Sequence, residues 1–206
     1  MSQPPVILLI AALLPGVTGA QPTAASPHKQ GALLAVRSHP AASQSSEAAC
    51  RNVVQEFYNW YVPRMMREVR ISARDQALMT RPRNFSLELR RRLAEDGAAA
   101  AKSPDEIVGL DFDPFTNSQD PTSRYVAKRA YRSGKGYRVE VHGIIDGKAN
   151  AAPDVIPELM QSRGRWMFVN FHYPAEGNEP KSDLLGVLKQ LRDARRKPSR
   201  RGAPHR

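Results

Sequence analysis

Asp111, Asp113, Asn117 and Asp120 crowd four oxygen-bearing side chains into one short stretch of the chain. Calcium needs such density, since it takes about six to eight hard oxygen ligands. An EF-hand loop, however, sets its ligands at alternate positions, with a central glycine and a closing glutamate. Here Phe115 stands where the third ligand belongs, and both the glycine and the glutamate are missing. The spacing suits an Asx-turn instead, with carboxylates that accept backbone N–H bonds and pair with Arg or Lys. The expectation is that Asp111, Asp113 and Asp120 hold a loop and bind no metal.

Other residues also have chemistry available. His142 and His172 fall on segments with strand character that are expected to be neighbours, and Asn170 shares a strand face with His172. Two imidazoles and an amide bind metals or move protons. Tyr58, Trp60 and Tyr61 are the residue types of an aromatic ligand cage, although core and rim is the commoner role for such a group. Tyr58, Tyr61, Asn170 and His172 therefore form the candidate ligand-binding set. No Ser-His-Asp signature, glycine-rich phosphate loop or His-Glu-x-x-His pattern occurs, so no catalytic residue is assigned and no cofactor is expected. The single cysteine, Cys50, excludes an intramolecular disulfide and any multi-cysteine metal centre. Burial is its expected environment.

The elements that must position these residues follow from periodicity. Ser46 is placed to cap a helix whose apolar residues Cys50, Val53, Val54, Phe57, Tyr58 and Tyr61 recur at helical spacing, with Pro63 ending or kinking it. The stretch from Arg64 to Asn84 reads as helix or loop. Ser86 caps a second helix with Leu89 and Leu93 on one face, stopped by Pro104. Beyond Pro121 the period changes to two. Strands are expected over Tyr125 to Tyr131, Tyr137 to Ile144, Val155 to Gln161 and Arg165 to His172, with turns at Ser133–Gly136, Asp146–Gly147 and Ser162–Gly164. The last of these strands is apolar on both faces and so should be central. Strict alternation along it groups Trp166, Phe168, Asn170 and His172 on one face. Ser182 and Asp183 open a final helix carrying Leu184, Val187, Leu188 and Leu191. Helices followed by hairpin-linked strands specify an α+β fold, with helices packed on a curved antiparallel sheet of about four strands.

The two ends differ from this middle. An apolar run from Val6 to Leu14, broken by Pro15 and Gly16 and followed by Thr18-Gly19-Ala20, reads as a signal peptide over residues 1–20; it is too short to span a bilayer. No cysteine follows the cleavage site, so lipid anchoring is not expected. Residues 21–45 read as a disordered linker, residues 46–195 as the folded domain and residues 196–206 as a basic tail. Of the net charge of +11, the last eighteen residues carry +7. That tail has no aromatic residue, which argues against a nucleic-acid module. Such a tail is expected to be solvated, with weak contact to an anionic surface as the alternative.

Val54-Gln-Glu-Phe-Tyr-Asn-Trp-Tyr61, Gly109-Leu-Asp-Phe-Asp-Pro-Phe115 with Asn117 and Gln119-Asp-Pro121, and Gly164-Arg-Trp-Met-Phe-Val-Asn-Phe171 together resemble a bacterial family of unassigned activity, typified by the YbjP lipoprotein domain. The resemblance implies a cystatin-like, nuclear-transport-factor-like cone and an envelope-type location. A periplasmic or secreted binding module is then expected, with an envelope protein or small ligand as partner. The alternatives are a small cone-fold enzyme using a carboxylate or histidine inside the cone, and an inhibitor or immunity-type protein.

Overall fold

The structure is a computed structural model that describes residues 40–67, 70–103, 106, 108–175 and 181–196, with side chains from Ser45 onward. The expected signal peptide, most of the linker and nearly all of the basic tail lie outside the described residues. Among the described residues no helix is long and apolar enough to cross a membrane.

Helix α1 (Pro40–Met65) is followed by α2 (Ala73–Thr80), a short 3-10 turn at Pro82–Asn84, and α3 (Leu87–Ala100). Strands β1 (Tyr125–Ser133), β2 (Gly136–Ile145), β3 (Lys148–Ala149), β4 (Ile156–Ser162), β5 (Arg165–Tyr173) and β6 (Ser182–Asp183) lead into α4 (Leu184–Arg196). The α+β class read from the sequence is the observed one. The open antiparallel sheet runs β1-β2-β4-β5-β6, with β3 beside β2. Four long strands carry it; β3 and β6 add two residues each, so the count is six where about four were expected.

Helix α1 buries Cys50, Val54, Phe57, Tyr58, Tyr61 and Val62 along one stripe, the pattern its periodicity requires. It begins ahead of Ser46, at Pro40, and so takes in the end of the stretch read as linker. Pro63 lies inside the helix, which continues only two residues further, to Met65. Ser72 and Ser86 cap α2 and α3, their hydroxyl oxygens accepting from the amides of Asp75 and Leu89 at 3.1 and 3.2 Å. The ambiguous stretch after Arg64 thus contains a real helix.

Asp146–Gly147 and Arg163–Gly164 have positive φ at both residues, 50° and 75° in the first pair and 49° and 76° in the second. Such two-residue turns match the right-handed twist of the strands that they join. Strand β1 lies at the edge of the sheet, and α1 covers part of that edge with a side chain. Gln55 donates to the carbonyl of Tyr125 at 3.1 Å and accepts from the amide of Ala127 at 2.8 Å. One amide group thereby stands in for a neighbouring strand and blocks edge pairing there.

Strand β5 is where the sequence reading needs correction. It pairs with β4 on one side; on the other, among the described residues, it has only β6 and a bridge to Phe85. It is therefore less central than its two-sided apolarity suggests. The ladder to β4 pairs Leu159 with Phe168 and Glu158 with Asn170, which leaves Val169 as an extra residue in a bulge. A bulge shifts the parity of everything after it. Phe171 and Tyr173 join Phe168 on the buried face, while Asn170 and His172 turn to the other. The buried face meets α1 in a cluster of rings. Phe57 lies 4.9 Å from Phe168 and 5.2 Å from Tyr61, and Phe115 lies 4.9 Å from Phe171, all between ring centroids.

Candidate functional site

The acidic loop is held from inside the domain. Asp113 Oδ1 accepts from the amides of Phe115 and Thr116, both at 3.0 Å, and from the Thr116 hydroxyl at 3.1 Å. Asp113 Oδ2 accepts from the Tyr61 hydroxyl. Two more tyrosines grip the same turn: Tyr58 donates to the carbonyl of Phe115, and Tyr173 to that of Pro114 at 3.0 Å. Desolvation pushes the Asp113 carboxyl above the usual aspartate range, and its hydrogen bonds pull it partly back. Burial is also the main reason that the Tyr58 and Tyr61 hydroxyls titrate well above the ordinary tyrosine value, with the nearby Asp113 charge adding to it.

The other two aspartates are elsewhere in character. Asp111 is exposed and accepts from Gln119 at 3.4 Å, while Asp120 is exposed and its backbone amide donates to the Ser118 hydroxyl oxygen at 3.0 Å. Among the described residues no group of three His, Cys, Asp or Glu side chains is placed to hold a metal.

The four residues of the expected ligand set do not meet. Tyr58 and Tyr61 are buried against the Asp113 turn, whereas Asn170 and His172 lie on the opposite face of β5 because of the bulge. The Asn170 carbonyl oxygen accepts from the amides of Phe171 and Leu185 at 2.9 and 3.2 Å. Its amide nitrogen donates to Asp183 Oδ1 at 2.8 Å, which also accepts from the amide of Gly186 at 3.0 Å. Asn170 and Asp183 thus cap the start of α4. His172 Nε2 lies 2.5 Å from Glu158 Oε2, the same oxygen that takes two bonds from Arg138 at 3.1 and 3.2 Å. His142 is not its neighbour, because β4 runs between β2 and β5. His142 donates through Nδ1 to the carbonyl of Asn150 at 2.8 Å, and its buried Nε2 has no partner among the described residues. Cys50 is fully buried, and desolvation, reinforced by Glu47, pushes its thiol up to about 12.

Sequence reasoning missed what lies on the outside of the Asp113 turn. A cleft of about 520 Å³ opens there, with Arg64, Arg67 and Arg74 on one wall and Leu110, Asp111 and Phe112 on the other. The signal was present in the composition. Residues 64–92 contain nine arginines and three acidic residues, a local excess hidden when the whole chain before the tail is averaged. Several of these arginines are committed: Arg74 contacts Asp75 and Asp96, and Arg91 and Arg92 both reach Glu88. Arg67, Arg81 and Arg83 have no carboxylate within 4.0 Å among the described residues.

A second missed group is the buried Asp96. It accepts from the amide of Leu110 at 3.0 Å and from Arg195 at 2.9 Å, and Arg195 also donates to the carbonyl of Val108 at 2.6 Å. Arg195, the last residue of the expected domain, fastens α4 to α3. Compared with protein-family models, with curated proteins and with solved structures, the chain matches none.

Proposed function

We propose that this chain is an exported interaction module that docks a partner protein on the surface built from residues 64–87. One observation carries the reading. Of the five exposed large apolar residues among those described, four belong to that stretch: Met66, Ile71, Met79 and Leu87, the last two 68% and 73% exposed. Exposed apolar side chains beside unpaired arginines are the composition of a binding surface, where Met and Arg are enriched. The space between α1 and the sheet is meanwhile filled by the rings of Phe57, Phe115, Phe168 and Phe171. A filled interior favours a partner-binding scaffold over a small enzyme working inside a cone. Export through cleavage after Ala20, an envelope location and kinship with the YbjP-type, cystatin-like family belong to the same reading.

A photo-cross-linking residue at Met79 tests the docking surface, with one at Ile145, which is 53% exposed on the β2–β3 hairpin, as control. In an envelope extract the Met79 position should give a discrete adduct that the Ile145 position lacks. Equal yields from both positions would remove the basis of the proposal. Intact mass of protein from the envelope fraction should correspond to a chain that starts at Gln21. A full-length cytoplasmic species would defeat export and leave the docking surface unaffected.

A further inference from the structure

Trp60 lies partly exposed on α1, and two guanidinium groups pack over its ring. The central carbon of Arg64 is 4.3 Å from the ring centroid and that of Arg81 is 4.5 Å away. Arg64 is fixed further by a 2.8 Å bond to the carbonyl of Trp60. A guanidinium stacked on an indole uses its face and keeps its N–H edge available, and that edge matches the two oxygens of a carboxylate. The stack therefore holds arginines in a receptive orientation, with less side-chain entropy left to lose when an anion arrives.

Arg81 also forms one wall of a second cleft, of about 480 Å³, with Arg83, Arg165, Asn84, Glu56 and Trp166 around it. Arg81, Arg83 and Arg165 have no carboxylate within 4.0 Å among the described residues. The Arg163–Gly164 turn, held by its positive φ angles, delivers Arg165 to this place from the sheet. Trp166 is fixed in turn by edge-on packing against Tyr137 at 5.5 Å. Arg64 lines the first cleft and Arg81 the second, so the Trp60 stack joins them into one band.

We infer that this band receives an extended, carboxylate-bearing segment of a partner protein, an inference that rests on the docking surface proposed above and specifies its ligand. The clefts themselves choose between kinds of anion. Glu56 stands in one, and Asp111 and Asp113 in the other. A polymer charged at every unit, such as single-stranded nucleic acid, would bring phosphates against these carboxylates, and like charges in contact oppose binding. A peptide of mixed sequence places its acids at the arginines and its apolar residues on Leu110, Phe112, Val53 and Trp166. Such recognition weakens with salt, as exposed charge pairs do.

The test is fluorescence anisotropy with a labelled synthetic peptide of paired glutamates separated by leucines. Three probes run beside it: the peptide with glutamines for glutamates, an oligothymidylate, and vesicles of anionic phospholipid. Saturable binding of the acidic peptide is expected, lost in the glutamine version and weakened at least tenfold in Arg81→Gln/Arg165→Gln. That variant should stay folded with a melting temperature within a few degrees of the parent's, since neither side chain has a carboxylate partner and only the Arg81 contact with Trp60 is removed. Absence of binding, or binding indifferent to these substitutions, overturns the inference, and tighter binding of the oligothymidylate or the vesicles overturns its choice of ligand. The Met79 cross-link separates the two levels of the argument. An adduct retained by Arg81→Gln/Arg165→Gln sinks the acidic-segment inference and leaves the docking surface standing. Loss of both the adduct and its contrast with Ile145 sinks the two together.

Discussion

The Asp113 turn lines one of the two clefts that the arginine band joins, and the turn and the band satisfy their polar groups in opposite ways. Asp113 has four donors on its two oxygens, three of them from its own turn and one from Tyr61. Arg67, Arg81 and Arg83 have no carboxylate within 4.0 Å among the described residues, and Arg81 packs on an indole face. The half-buried carboxylate is held because an unpaired charge in that position would be costly. The exposed guanidiniums are under no such requirement, since solvent pairs with them. Chemistry that is fully satisfied internally serves the fold, and chemistry left open at the surface is available to a partner. The comparison therefore assigns structure to Asp113 and supports the recognition role proposed for the arginines.

Removing a buried carboxylate should have the largest effect. Asp96→Ala leaves Arg195 without its buried partner and should cost about 3–5 kcal/mol, measured by urea denaturation. A cost below about 1 kcal/mol would mean that water replaces the carboxylate and that α4 is held by packing alone. Asp113→Ala should follow at about 3 kcal/mol, because it orphans the Tyr61 hydroxyl and the donors of the turn together. Tyr61→Phe removes one of those donors and should cost about 1 kcal/mol.

Acidity offers a way to sharpen the comparison without removing a bond. Asp113→Asn keeps an acceptor for the turn and discards the charge. An unfolded aspartate titrates near about 4, and burial holds the folded group above that value. The folded chain thus binds this proton more tightly, and ionised Asp113 lowers stability at neutral pH by an amount that fades as pH falls toward the unfolded value. The stability of Asp113→Asn relative to the parent should therefore decline on acidification from pH 7 to pH 4. A relative stability that rises over that range would show that hydrogen bonding outweighs burial at this carboxylate. At the small end, Arg83→Gln should change stability by no more than about 0.5 kcal/mol, since it breaks no ion pair. A larger loss would make the band part of the fold and weaken its role in recognition.

Much of the architecture is a local property and is legible in the chain. Ser86 caps α3 because a hydroxyl can accept from an amide three residues on, and Asp146–Gly147 turns because glycine tolerates positive φ. The helical stripe from Cys50 to Tyr61, the period-two strands and the α+β class follow from equally short-range rules. Even the preference of Asp113 for its own backbone is written in the Asx-turn spacing.

The tertiary structure decided what depends on residues far apart in sequence. Asp96 and Arg195 are 99 positions apart, and nothing local in either marks it as the other's partner. Three tyrosines from α1 and β5 converge on Asp113–Phe115 only once the helix lies on the sheet. The bulge at Val169 reversed the faces of Asn170 and His172, because a single extra residue inverts a two-residue period and the reason to insert it lies in the partner strand. The joining of two clefts through Trp60 has the same origin. Residue types and local periods belong to the sequence, whereas which groups are left without partners is settled only when every other contact has been made.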